Sequence, residues 1–173
     1  MSQQGPKWAF MQWLKLNNPD GSKYLDRLRI VQTPWFGLYL HWIYSPDDGR
    51  DLHDHPWWFA SFLLKGQYVE ECMVPWRDQR HGPVGDESAV IRTHTDLFGV
   101  VRPVGVVWSR SIKWLNIKAA TGLHRITYMT RSPVVSLVFV GPRVREWGFV
   151  QADGSWIRAE DYHIRGDGSI KVG

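Results

Sequence analysis

Only one cysteine, Cys72, occurs in the chain, which excludes an intrachain disulfide and a thiolate-rich zinc site. A lone thiol suits a reducing compartment. No stretch approaches the ~18 uninterrupted apolar residues that a membrane helix needs. The N-terminus also lacks the basic-then-apolar plan of a secretory leader, so a cytoplasmic protein without a membrane partner is expected. Charge of neither sign dominates, since 21 Lys and Arg face 17 Asp and Glu for a net +4. The basic residues are scattered, and the small groups Arg27-Leu28-Arg29 and Arg143-Val144-Arg145 make no phosphate-tracking stripe. Nucleic acid is therefore not the expected partner. A Ser/His/Asp elbow, a phosphate-cradling glycine loop and a dinucleotide fingerprint are missing as well.

Aromatic residues are what the chain has in quantity: 11 Trp, 7 Phe and 6 Tyr within 173 residues, enough for one domain over residues 1–173 with a real core. Strand signals dominate. The segment Phe36–Tyr44 alternates, with Leu38, Leu40, Trp42 and Tyr44 on one side and Tyr39, His41 and Ile43 on the other. Further strands are expected over Tyr24–Val31, Phe59–Lys65, Gln67–Met73, Ala89–Thr93, Val100–Trp108, Ile112–Lys118, Leu123–Thr130, Val134–Val140 and Val144–Gln151. Gly66 reads as the turn of a hairpin, and Pro75–Glu87 as a charged surface excursion. Lys7–Leu16 is expected to form a short N-terminal helix leaning on the sheet through Trp8, Met11 and Leu14. About ten short strands without crossover helices make an all-β sandwich or barrel.

The run Gly49-Arg50-Asp51-Leu52-His53-Asp54-His55-Pro56-Trp57-Trp58-Phe59 carries the chemistry. Side chains two residues apart on a strand project the same way, so His53 and His55 converge on one face. His124 opens another strand-like run and offers a third imidazole. Three neutral imidazoles suit one divalent transition metal ion, Fe, Zn, Ni or Mn, and leave a position open. Trp57 and Phe59 share the inward parity of the pair, and Ile126 and Tyr128 share that of His124, so these four are expected to line the cavity. Asp51, ahead of Asp54, is the candidate second-shell acceptor. Tyr128 and His41 are candidate catalytic groups, as a donor to bound oxygen and an acid–base group. Arg143 or Arg145 could bind a substrate carboxylate or phosphate. Cys72 reads as packing, and His81, His94 and His163 lack a convergent partner.

Gly49, His53, His55 and Gly66 resemble the first motif of the cupin superfamily, with His53 one step from the usual glycine-to-histidine spacing. Ala119–Tyr128 resembles the second motif, in which the histidine is the third imidazole ligand, with Tyr128 where an asparagine is usual. The resemblance spans about Gly49–Phe149. It implies a double-stranded β-helix, or jelly-roll barrel, with its core at about residues 24–151. Phe59 stands where many cupins carry a glutamate ligand, which implies a three-His centre or an inactive relative; Glu70 or Glu71 is a poorer source of an oxygen ligand. The function expected is a small metal-dependent enzyme, a dioxygenase or isomerase acting on a small-molecule substrate. The alternative is a non-enzymatic binding or structural protein. A homodimer is expected, because pairing would cover an open strand edge and leftover apolar surface.

Overall fold

The computed structural model describes residues 8–18, 20–47, 50–75, 89–164 and 170–171. Two antiparallel sheets face each other. The first has the order β1-β2-β3-β11-β5-β9: β1 (Ala9–Asn17), β2 (Lys23–Gln32), β3 (Gly37–Ile43), β11 (Val134–Val140), β5 (Phe59–Lys65) and β9 (Leu115–Lys118). The second has the order β13-β12-β4-β10-β6-β8-β7: β13 (Trp156–Arg158), β12 (Gly148–Val150), β4 (Leu52–His53), β10 (Leu123–Met129), β6 (Tyr68–Pro75), β8 (Val101–Ile112) and β7 (Val90–Thr95). A small third pair joins β14 (His163–Ile164) and β15 (Ile170–Lys171).

Three expectations are corrected here. The closed jelly-roll barrel does not form, because each sheet ends in open edges, β1 and β9 in one and β13 and β7 in the other. The N-terminal helix is absent too, and no described residue is helical. Residues Ala9–Asn17 instead form an edge strand of the first sheet, from Ala9 opposite Gln32 to Asn17 opposite Lys23. A ten-residue helix has little stability alone, whereas this segment finds an open ladder of backbone donors and acceptors on β2. No helix among the described residues is long and apolar enough to cross a membrane.

The hairpin expected across Gly66 is the third correction. β5 pairs with β11 and β9, and β6 with β10 and β8, so the chain passes from one sheet to the other at this point. Gly66 has φ of 80°, a left-handed conformation that glycine adopts without a Cβ penalty. Most of the surface excursion, together with Gly49 and His81, lies outside the described residues.

The core has three clusters, the first two between the sheets and the third on the opposite face of the second sheet, where its residues alternate along the strands with the inward-facing His53, Cys72, His124 and Phe149. Leu63, Tyr68, Ile112, Ile126 and Val134 form one; Tyr39, Phe59, Val138 and Val140 a second; Leu52, Met73, Leu123 and Val150 a third. The outward face of the first sheet is apolar as well. Phe62 lies opposite Leu115 and Ala60 opposite Ile117, and Phe62, Leu64, Leu115 and Ile117 are all exposed.

Candidate metal centre

β10 lies between β4 and β6, and His124 sits directly opposite His53 in the β4 ladder. β4 is only Leu52–His53, so His55 stands just beyond the strand. Its orientation comes from the residue between. The Asp54 carboxylate accepts from the Gly148 amide at 2.8 Å and Trp156 Nε1 at 3.2 Å, and pairs with Arg145 at 2.7 Å. Those donors hold Asp54 away from the cavity, which turns both flanking imidazoles inward. The His55 amide donates to the Ala120 carbonyl at 3.0 Å, tying this loop to the turn that launches β10.

The three rings form a nearly equilateral group, with centroids 4.9 Å apart for His53 and His124, 5.1 Å for His55 and His124, and 5.2 Å for His53 and His55. One nitrogen from each lies within 4.8 Å of the others, so the cluster can hold a metal ion. Nε2 of His55 and Nε2 of His124 are 2.8 Å apart. Two imidazole nitrogens bound at right angles to one ion at ~2.1 Å stand about 3 Å apart, so the donor set fits a transition ion.

Glu70, which the sequence offered at most as a ligand, supports a ligand instead. Its fully buried carboxylate accepts from His124 Nδ1 at 2.8 Å, which directs Nε2 of that ring to the shared point. Lys118 Nζ at 2.8 Å, Arg110 Nε at 2.6 Å and Asn116 Nδ2 at 3.0 Å also serve this carboxylate. Burial alone would raise the Glu70 pKa, but the hydrogen bond and charge of His124 and the Lys118 ammonium hold it far below the usual carboxylate range. Lys118 also reaches Cys72 Sγ at 3.0 Å, a cationic neighbour of the thiol that sequence proximity did not show. Among the described residues neither the Asp51 nor the Asp54 side chain hydrogen-bonds an imidazole, so the acceptor expected of Asp51 behind the ligands is not formed.

Burial pushes His53 down to about 4, opposed by the Asp47 carboxylate and reinforced by His124 and Arg50. Burial, then the charges of His124, His53, Arg27 and Lys118, holds His55 well below the ordinary imidazole value. His53 and His55 are therefore neutral at pH 7 without metal, the form that binds it. The unfolded chain protonates His53 near pH 6.5 and the folded chain near 4, so stability falls as pH drops through that window. For His53 alone the loss is about 3 kcal/mol, to be read from urea midpoints of metal-free protein at pH 7.5 and 4.5. His53 and His55 should stay unprotonated and available to the metal through pH 6.5, where free imidazole would already be half protonated; an NMR titration that finds either ring protonated at pH 6.0 would contradict these shifts.

A cavity of about 680 Å³ opens beside the triad. Trp57, Phe59, Ile126 and His41 all line it. Phe59 sets its ring edge-on to His55 at 4.9 Å. His41 presents no free Nε2, because that nitrogen accepts from Arg27 Nε at 2.8 Å. Tyr128 is not brought to the site and is 59% exposed. The ladder between β10 and β6 slips between Ile126 and Tyr128, and the extra residue reverses the parity beyond it. Asp47, read from sequence as part of a turn, binds the backbone at this point: Oδ2 accepts from the Ile126 amide at 2.7 Å, and the Asp47 amide donates to the Ile126 carbonyl at 2.8 Å. Arg145 is engaged by Asp54, and Arg143 by Glu146 at 2.8 Å. Compared with protein-family models and with curated proteins, the chain matches none.

Proposed function

We propose that the protein is a metal-dependent enzyme acting on a small molecule, with His53, His55 and His124 as ligands to one divalent transition ion. The observation that carries this reading is the convergence of three imidazole nitrogens at the wall of a 680 Å³ cavity. A bound ion would supply Lewis-acid polarisation, or a seat for dioxygen if it is iron. The chain's own contribution is to keep His53 and His55 neutral, fix the His124 ring through Glu70 and keep the nearby space apolar with Trp57 and Phe59. An open cavity beside the ligands favours an enzyme over a closed structural site, in which protein side chains fill every coordination position.

Elemental analysis of protein purified without added metal tests the reading. About one equivalent of a transition metal per chain is expected, and a metal-free protein that takes up none on titration would overturn it.

A homodimer is proposed as well. The exposed apolar face around Phe62, Leu64, Leu115 and Ile117 adjoins the open edge strand β9, and a second copy would cover both. Sedimentation equilibrium at micromolar concentration should give twice the 20.1 kDa chain mass, and Phe62→Lys should shift the protein toward the monomer. A wild type that sediments at 20.1 kDa sinks this proposal.

A further inference from the structure

The wall facing the triad carries two cations that the metal centre does not use. Arg27 and Arg29 are two residues apart on β2, opposite His41 and Tyr39 of β3, and both line the cavity. Their contacts are neutral. Arg27 Nε donates to His41 and its guanidinium lies over the Tyr39 ring at 5.3 Å. Arg29 Nη1 donates to Gln12 Oε1 at 3.0 Å, while Arg29 Nε is buried with no partner. Neither arginine belongs to an ion pair among the described residues. Asp47, the one carboxylate among the described residues lining the cavity, is engaged by Ile126, Tyr24 and Arg50.

A guanidinium does not escape desolvation by losing its proton, so two adjacent half-buried ones without an anion among the described residues are costly to keep. Burial is the main force disfavouring the charge on Arg27, and Arg29 adds like-charge repulsion. An oxyanion arriving from solvent would relieve both and meet planar donors suited to bidentate contact. We propose that Arg27 and Arg29 form an oxyanion cradle, so that the cavity takes a small organic carboxylate or phosphate monoester whose apolar part lies against Tyr39, Trp57 and Phe59. The placement of that ligand beside a metal rests on the proposed function; the cradle itself does not.

Calorimetric titration of the full, metal-free chain with benzoate, phenyl phosphate and neutral benzamide tests it. Both anions, or one of them, should bind at least about tenfold tighter than benzamide, the scale of a charge-assisted hydrogen bond. The tighter anion identifies carboxylate or phosphate as the natural group. Arg27→Gln and Arg29→Gln should each remove most of that preference, and Arg29→Lys should retain part of it. In wild type, the preferred anion should also raise the melting temperature while benzamide does not, a readout independent of how the variants fold. Equal binding of anions and amide by wild type overturns the cradle, as does a preference that survives in the double Arg27→Gln, Arg29→Gln protein. A chain that takes up no metal yet prefers the anions keeps the cradle and removes the metal centre.

Discussion

His53→Ala should bind its metal about 100-fold or more weakly than wild type, because one of three protein ligands is gone and no neighbouring carboxylate is placed to replace it. Asp47, the one carboxylate among the described residues lining the cavity, is taken up by the Ile126 amide, Tyr24 and Arg50, and Glu70 is held by four donors on the far side of His124. A metal that binds only the assembled triad stabilises the fold by mass action. A chelator should therefore lower the melting temperature of wild type by several degrees, on the order of 4 °C per kcal/mol, and hardly move that of His53→Ala. Equal chelator shifts in the two proteins would show that the ion, if any, sits elsewhere.

The largest loss of stability should come from Glu70→Leu. The carboxylate is fully buried and is the shared anion for Lys118, Arg110 and His124. Lys118 is itself 8% exposed, so removing its anion strands a cation in the core. Breaking one side of such a pair costs about 3–5 kcal/mol, far more than the pair contributes against an apolar replacement. Urea unfolding should show that loss for Glu70→Leu and partial recovery for Glu70→Leu combined with Lys118→Met, which removes the orphaned charge. His124 should also lose its orientation, lowering metal affinity about 10- to 100-fold in whichever variant still folds. A single variant within 1 kcal/mol of wild type would mean the network is ornamental.

Much of the β content and the imidazole cluster were legible in the amino-acid order. Period-two alternation in Phe36–Tyr44 put Tyr39, His41 and Ile43 on one side of a strand, and that side is the one lining the cavity. The pair His53 and His55 was readable because side chains two residues apart in extended backbone share a face, although the donors that lock Asp54 between them, Gly148, Arg145 and Trp156, come from far along the chain. His124 could be chosen as the partner because its run also begins a strand.

What failed depended on partners distant in sequence. Ala9–Asn17 became a strand because β2 offered an unpaired edge, which no local pattern announces. Tyr128 left the cavity because one extra residue in the β10 ladder reverses every side chain after it, and that slip lies beside Ile126 backbone groups bound by Asp47, 79 positions away. Glu70 read from sequence only as a poorer source of an oxygen ligand; the meeting of β6, β8, β9 and β10 gives it Lys118, Arg110, Asn116 and His124 instead. Arg27 and Arg29 read from sequence as a small basic group too short to track phosphates, and only the facing of the two sheets places both on a cavity wall. Composition and alternation decide which residues face inward along a strand. Which strands become neighbours, and hence which charges are paired, buried or left without a counterion, is decided by nonlocal hydrogen bonding and packing in the tertiary structure.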